Sequence, residues 1–560
     1  MSFHRGVLQE PMGIRKSPWL RTLSNGSRSW TRTNDPLINS QLLYQLSYSG
    51  IAADRSRFND PRFRPAEMRM AWFERHGGSH APPSQGQRMP ANLQSTVDAV
   101  VVGAGPAGSV AATVLARRGL SVVLADKRTF PRDKVCGDFI GPHGLRELDE
   151  VGLGDVATGV AANLADKAAI YVNGKPILVQ PLPHIDGLRP YGCVMERQEF
   201  DERLFRGACK AGAEPLEGYT FASYDVEPHG VTVTLRGESG DRAIRARALI
   251  GADGSASLVA LRLRGRPQPK PDRIIAVRAY YEGVEGPADR IDLHFHEETF
   301  PGYLWVFPTG NGRANVGIGT LAQMVAAPQE HIRDMLQRFI DNDPAIKERL
   351  GDAKPCGKIV GWPLSTYNGR LPIVGERVAL VGDAAGFINP LNGEGIQYAI
   401  ASGRWAAEAL ADALAAGDVT RAALRPYARR VQREFGIDMA INRVAVQAIG
   451  NRGLNPIFVE LLRTWLALAE RDTDYSNVGG AVVAGLVPTR RLFGPATMRK
   501  SFGSAFNSLI RVKPSRAAKT IVDAAGTMGR RPLETLRWSA SLAEAAGGVV
   551  RESVRNLRRT

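Results

Sequence analysis

From Val97 onward the chain alternates short apolar runs with stretches of helical periodicity. The run Val97–Val102 leads into Gly103-Ala104-Gly105-Pro106-Ala107-Gly108. A helical pattern over 110–118 follows, and Gly119 stops it. A second apolar run, 121–125, ends at Asp126. Strand, glycine turn, helix and strand in that order make a βαβ unit. Further on, 196–211 has the spacing of an amphipathic helix. Residues 231–235 and 243–250 have that of strands, the second running into Gly251-Ala252-Asp253-Gly254. Residues 273–320 alternate as a half-buried antiparallel sheet does, with a hairpin turn at Thr309-Gly310-Asn311-Gly312. A helix is expected at about 328–341, and a buried strand at 378–381 runs into Gly382-Asp383. Helical patterns dominate from Gly395 to the end.

Residues 1–88 are polar and lack sustained periodicity. Two readings stand: a real extension, disordered or a targeting segment, or a spurious one. The stretch Trp30-Thr31-Arg32-Thr33-Asn34-Asp35-Pro36 resembles the product of a reading frame running through a transfer-RNA gene. On the second reading Met89 is the true start.

Charge changes the picture less than its total suggests. The formal net charge is +16, yet residues 89–488 hold 44 basic and 46 acidic side chains. The excess sits at the two ends, so an enzyme with basic appendages is expected rather than a nucleic-acid-binding fold. The four cysteines, Cys136, Cys193, Cys209 and Cys356, form no CxxC pair. No metal site is expected, and free thiols suit a cytoplasmic location. No apolar run reaches the length of a membrane span.

The glycine turn carries the first chemistry. Gly103 permits the tight turn, Gly105 lets the backbone approach a pyrophosphate, and Gly108 lets the helix pack on the sheet. The helix start, with Pro106 and Ala107, offers N–H groups and a positive dipole end to phosphate. Asp126 lies 18 residues beyond Gly108, where a carboxylate receives ribose hydroxyls. Lys127 beside it is counted with the cofactor residues. Alone, such a hexapeptide is equally a common glycine turn. The second half of the constellation is Gly382-Asp383, followed by Gly393-Glu394-Gly395-Ile396. There an acid ends a strand and a helix begins, an arrangement that stabilises negative charge on a reduced flavin. An ordinary acidic turn is the other reading.

The ordered set resembles the flavoprotein group that contains aromatic hydroxylases, flavin-dependent halogenases and geranylgeranyl reductases. The resemblance covers about 95–420 and rests on Gly103 to Gly108, Arg197, Asp253-Gly254 and Gly382-Asp383. It implies FAD as cofactor, Arg197 near its phosphates or ribityl chain, and Asp253 organising the pyrophosphate loop. A solvated helix face is the alternative for Arg197. The implied fold is α/β: a glutathione-reductase-type FAD-binding domain with an inserted antiparallel β-sheet substrate domain and a C-terminal helical region. The substrate segments are expected at about 140–190 and 265–360, a helical domain at 421–488, and a basic helical region at 489–560.

Two stretches favour the reductase branch. Phe130-Pro131-Arg132-Asp133-Lys134-Val135-Cys136-Gly137-Asp138 resembles the PRxKxCG segment of geranylgeranyl reductases. It implies Arg132, Cys136 and Gly137 next to the flavin. Tyr303, Trp305 and Phe307 alternate, so on a strand they share one face and would wall an apolar pocket. They resemble the YxWxFP core of the reductase substrate motif, although Pro301 stands two residues before the tyrosine instead of three. An aromatic core strand is the plainer reading. With Cys136, these three are the candidate catalytic-site residues.

The resemblance implies reduction of polyprenyl C=C bonds by hydride from reduced flavin, with electrons from NAD(P)H or from another protein. A flavin-dependent monooxygenase or halogenase is the enzyme alternative. A non-enzymatic flavin-binding protein at a membrane surface is a third reading. The partners expected are an apolar small molecule and an anionic membrane touched by the basic C-terminal region, as at 502–510 and 533–550.

Overall fold

The computed structural model describes residues 96–322, 331–451, 454–483, 485–495, 497–500 and 532–557. The expectations for 1–88 and 502–510 lie outside them. The expected βαβ unit is present: β1 (Val97–Val102), α1 (Pro106–Arg117) and β2 (Val122–Asp126). β1 lies in the middle of an eight-stranded sheet. It pairs in parallel with β2 on one side and with Gly240–Gly251 on the other. Val378–Leu380 and Glu214–Glu217 extend the parallel part outward. β1 and its neighbours are buried on both faces, which is why they are runs of Val, Leu, Ile and Ala without polar alternation.

The register brings the strand ends level. Val102 pairs with Ala125 and with Gly251, and Gly251 pairs with Leu380. The strands preceding the Gly103 turn, Asp126, Asp253 and Gly382 therefore end along one edge of the sheet, the edge at which open α/β sheets bind ligands. α1 and Ile396–Ala415 pack together above it. A side chain at Gly403 would bring its Cβ within 2.3 Å of the Ala107 carbonyl oxygen, so the crossing requires glycine.

The second sheet also has eight strands. Arg273–Glu282, Arg313–Leu321, Tyr303–Gly310 and Arg290–Phe295 are joined antiparallel, as the alternation implies. The hairpin turn has Asn311 at φ +53° and Gly312 at φ +69°, both left-handed. One pair departs from the antiparallel expectation. Lys167–Val172 joins Arg290–Phe295 in parallel, because it arrives from a separate insertion rather than from a hairpin. Ile332–Asn342 and Pro344–Leu350 cover this sheet, burying Leu336, Phe339 and Ile346 against Val277, Val306 and Ile318.

The helices after Ile396–Ala415 are not separated from the first core. Leu424, Tyr427, Val431, Phe435 and Met439 share one cluster with β1 and β2. Asn455–Arg471 packs on Lys175–Pro181, and Pro532–Leu557 on Ile437–Ile449. The Trp538 indole N–H donates to the Gln447 carbonyl at 2.7 Å. Among the described residues no helix is long and apolar enough to cross a membrane.

Candidate functional site

The glycine turn adopts the shape its sequence requires. Gly103 has φ +101°, and a Cβ there would lie 2.3 Å from the Ala252 carbonyl oxygen. A Cβ at Gly108 would lie 1.8 Å from the Gly103 oxygen. Gly105 differs from both: the nearest atom to its missing side chain is Arg132 Nη2, at 3.7 Å. Gly105 is the N-cap of α1 and provides no side-chain cap, with Pro106 and Ala107 following. Open space, uncapped N–H groups and a guanidinium therefore converge at one point. That combination fits a pyrophosphate.

The acids at the strand ends are tied into the protein itself. Asp126 accepts from the Ala104 N–H at 2.9 Å and the Arg128 N–H at 3.0 Å, and Arg132 Nη2 lies 3.3 Å away. It fixes the glycine turn. Lys127 is exposed, its ammonium 5.7 Å from the centre of the Trp362 ring. Asp253 caps Leu258–Arg264: it accepts from the Ser257 hydroxyl and from the N–H groups of Leu258 and Val259. The Ala252 backbone beside it packs on Gly103, and Gly254 turns the chain at φ +80°.

Arg197 is buried, at 7 % exposure, which sets aside the solvated-face alternative. Its Nε and Nη2 each donate to Asp201 at 2.7 Å, and Arg132 Nη1 donates to the same carboxylate at 2.7 Å. Burial opposes the Arg197 charge, but Asp201 outweighs it and holds the guanidinium above its ordinary range. Burial likewise works against the Asp201 charge, and the two arginines still hold its carboxyl below the usual range. Asp201 was not among the expected residues. Its position four residues after Arg197 on an amphipathic helix was the available signal.

The Cys136 loop meets the aromatic strand. A Cβ at Gly137 would lie 3.2 Å from Phe307 and 3.7 Å from Trp305 Nε1. Tyr303, Trp305 and Phe307 line up as expected, with successive ring centres 6.1 and 6.2 Å apart. Trp305 and Phe307 are buried and Tyr303 half-buried. Burial pushes the Cys136 thiol up, against the pull of Arg197.

Behind the wall lies a polar chain that the sequence pattern did not disclose. Trp305 Nε1 donates to Asn315 Oδ1 at 2.8 Å. The Asn315 amide donates to the Cys136 carbonyl at 2.8 Å and to Asp138 Oδ2 at 2.7 Å. The Tyr280 hydroxyl donates to the same oxygen at 2.7 Å. Asp138 is fully buried, has φ +66°, and burial pushes its carboxyl up to about 7.

The second turn closes the site. Gly382, at φ +55°, starts a short helix, Gly382–Ala385. Asp383 accepts from the Ser255 hydroxyl at 3.0 Å. Gly393 is at φ +72°, and Gly395 is the N-cap of Ile396–Ala415 without a side-chain cap. Ile396 is buried as that helix begins, and this second uncapped helix start lies beside Asp383.

Comparison with known proteins bears on this arrangement. A family profile described as an FAD binding domain matches residues 96–433. A digeranylgeranylglycerophospholipid reductase of Methanopyrus kandleri is 35% identical over 346 residues, 60% of this chain and 83% of that one. A menaquinone reductase of Mycobacterium tuberculosis is 32% identical over 333 residues, 57% of this chain and 78% of that one. A crystal structure of a geranylgeranyl bacteriochlorophyll reductase-like protein from Thermoplasma acidophilum superposes with a TM-score of 0.60 at 26% identity. That match covers 71% of this chain and 98% of that one.

Proposed function

This chain belongs to the geranylgeranyl reductase family of FAD-binding flavoproteins, and on that premise we propose that it saturates C=C bonds of a polyprenyl lipid or quinone. The observation that carries the reading is the contact between the Cys136-Gly137 loop and the Trp305–Phe307 wall, at the carboxyl edge of a dinucleotide-binding sheet. Relatives named for reduction of geranylgeranyl lipids and menaquinone support it.

In this reading the core is a glutathione-reductase-type FAD domain, and the second sheet and the C-terminal helices shape the substrate side. The Gly103 to Gly108 turn and Arg132 would hold the pyrophosphate, Asp126 the ribose, and Arg197, Asp383, Gly393, Gly395 and Ile396 the flavin end. Bound and reduced, FAD supplies hydride at N5. Tyr303, Trp305 and Phe307 orient a greasy chain and exclude water from it. Cys136 lines the junction of the two. The electron donor in this reading is NAD(P)H docked transiently, or a protein. Helix Pro532–Leu557 would rest on an anionic membrane that holds the lipid. Leu536 and Val550 are exposed there, nearly four turns apart and so on one side.

The test is anaerobic. The flavin is reduced, a polyprenyl lipid is added, and the product is weighed. A product heavier by two hydrogens supports the reading. In a parallel run with oxygen admitted, oxygen-dependent oxidation of the substrate would transfer it to a monooxygenase.

A further inference from the structure

We propose that Glu394 delivers the proton that completes alkene saturation, an inference that rests on the polyprenyl reductase reading above. Saturating one C=C bond places a hydride, with both electrons, on one carbon and a proton on the other. The reduced flavin is the two-electron reductant. The proton has to come from an acid at the apolar wall that keeps its proton at neutral pH. The carboxylate left behind recovers a proton from solvent.

Glu394 sits where the cofactor turn and the wall meet. Its neighbours in the chain are both glycines. A Cβ on Gly393 would lie 3.7 Å from the Tyr303 hydroxyl, and one on Gly395 would lie 3.5 Å from Asp383 Oδ1. The carboxyl itself is bordered by two further glycines. A side chain at Gly141 would come within 2.9 Å of Oε1, and one at Gly485 would clash with Oε2. The glycines at 141 and 485 thus let the backbone pack close to both carboxyl oxygens.

Its partners are neutral amides rather than cations. Gln397 Nε2 donates to Oε2 at 2.8 Å, and the Asn392 amide assists. Oε1 is shielded from solvent and has no hydrogen-bond partner among the described residues. Burial pushes the carboxyl up to about 8, with Asn392 pulling weakly the other way. Among the described residues no cation acts on it. Tyr303 and Tyr398 are held protonated by burial, and His143 on Pro142–Glu150 is pushed down by burial. Asp383 lies across Gly395, and Asp438 beyond Tyr398. A carboxyl so placed is a neutral acid, the form required for donation.

The other acids near the wall are committed elsewhere. The Tyr303 hydroxyl donates to the Asn392 carbonyl. Cys136 faces Arg197. Asp138 lies behind the wall, held by Tyr280 and Asn315.

The experiment compares the FAD-loaded wild type with E394Q and E394D. Single turnovers are run on digeranylgeranylglycerophospholipid and on menaquinone in detergent micelles. E394Q is expected to slow saturation about 100-fold while FAD content and the rate of flavin reduction stay at wild type. E394D is expected to restore part of the rate. The wild-type rate is expected to fall as pH rises through the carboxyl's titration, a limb absent from E394Q. Infrared difference spectra, with or without substrate, are expected to show a protonated carboxyl band at neutral pH that E394Q removes. A wild-type rate and pH limb in E394Q would overturn the proposal. So would an unchanged band, or loss of FAD together with the rate, which would make Glu394 a support of the loop. If wild type saturates neither lipid, the reductase reading fails, and the infrared band alone then decides whether Glu394 carries the proton.

Discussion

Asp201 accepts two hydrogen bonds from Arg197, four residues earlier on the same helix, at 2.7 Å each. It also receives Arg132, which stands over the open face of Gly105. One buried carboxylate thereby sets the position of both cations at the cofactor edge. Replacing it by Asp201→Asn leaves a buried guanidinium without its counter-charge. The expected cost is about 3 kcal/mol, read by urea denaturation, together with a lower flavin-to-protein ratio. Unchanged flavin content would remove Asp201 from the site.

Gly108→Ala is expected to abolish flavin binding, because its Cβ would meet the Gly103 oxygen at 1.8 Å. Gly119→Ala is the matched control. Unlike Gly108 it has a positive φ, +76°, but no atom lies within 4 Å of the added methyl. It should cost about 1 kcal/mol and keep the flavin spectrum.

Asp138 makes stability depend on pH. Burial raises its carboxyl from 3.8 to about 7. Between those values the folded protein keeps a proton that the unfolded chain releases, so stability falls as pH rises through that window. The full span corresponds to about 4 kcal/mol. Asp138→Asn should remove that slope, measured as the difference in unfolding free energy between pH 4.5 and 7.5. An equal slope in both proteins would contradict the assignment.

Trp305→Phe keeps the aromatic wall but removes the N–H that Asn315 accepts. A buried carbonyl without a donor costs about 2 kcal/mol. Asn315 also holds the Cys136 carbonyl, so the change should raise KM for the prenyl substrate more than it lowers kcat. Steady-state kinetics on the variant would show which constant moves.

Much of this was legible along the chain. Strands buried on both faces leave unbroken apolar runs, and a tight turn against phosphate admits only glycine. Val97–Val102, Gly103 to Gly108 and Asp126 therefore announced the dinucleotide edge. Period-two alternation put Tyr303, Trp305 and Phe307 on one face for the same local reason. What local patterns cannot express is pairing across distance. Asp201 is one more acid on a charged helix until Arg132, 69 residues earlier, folds onto it. Asn315 lies 177 residues from Asp138 in the chain.

The sequence by itself therefore determined the cofactor edge, through backbone sterics and periodicity that act over a few residues. Only the tertiary structure decided how the acids are used. Asp253 caps a helix, Asp201 joins two arginines, and burial pushes the Asp138 and Glu394 carboxyls up. Each of those outcomes depends on burial and on partners supplied by distant segments, and charge in a low-dielectric interior answers to its surroundings more than to its residue type.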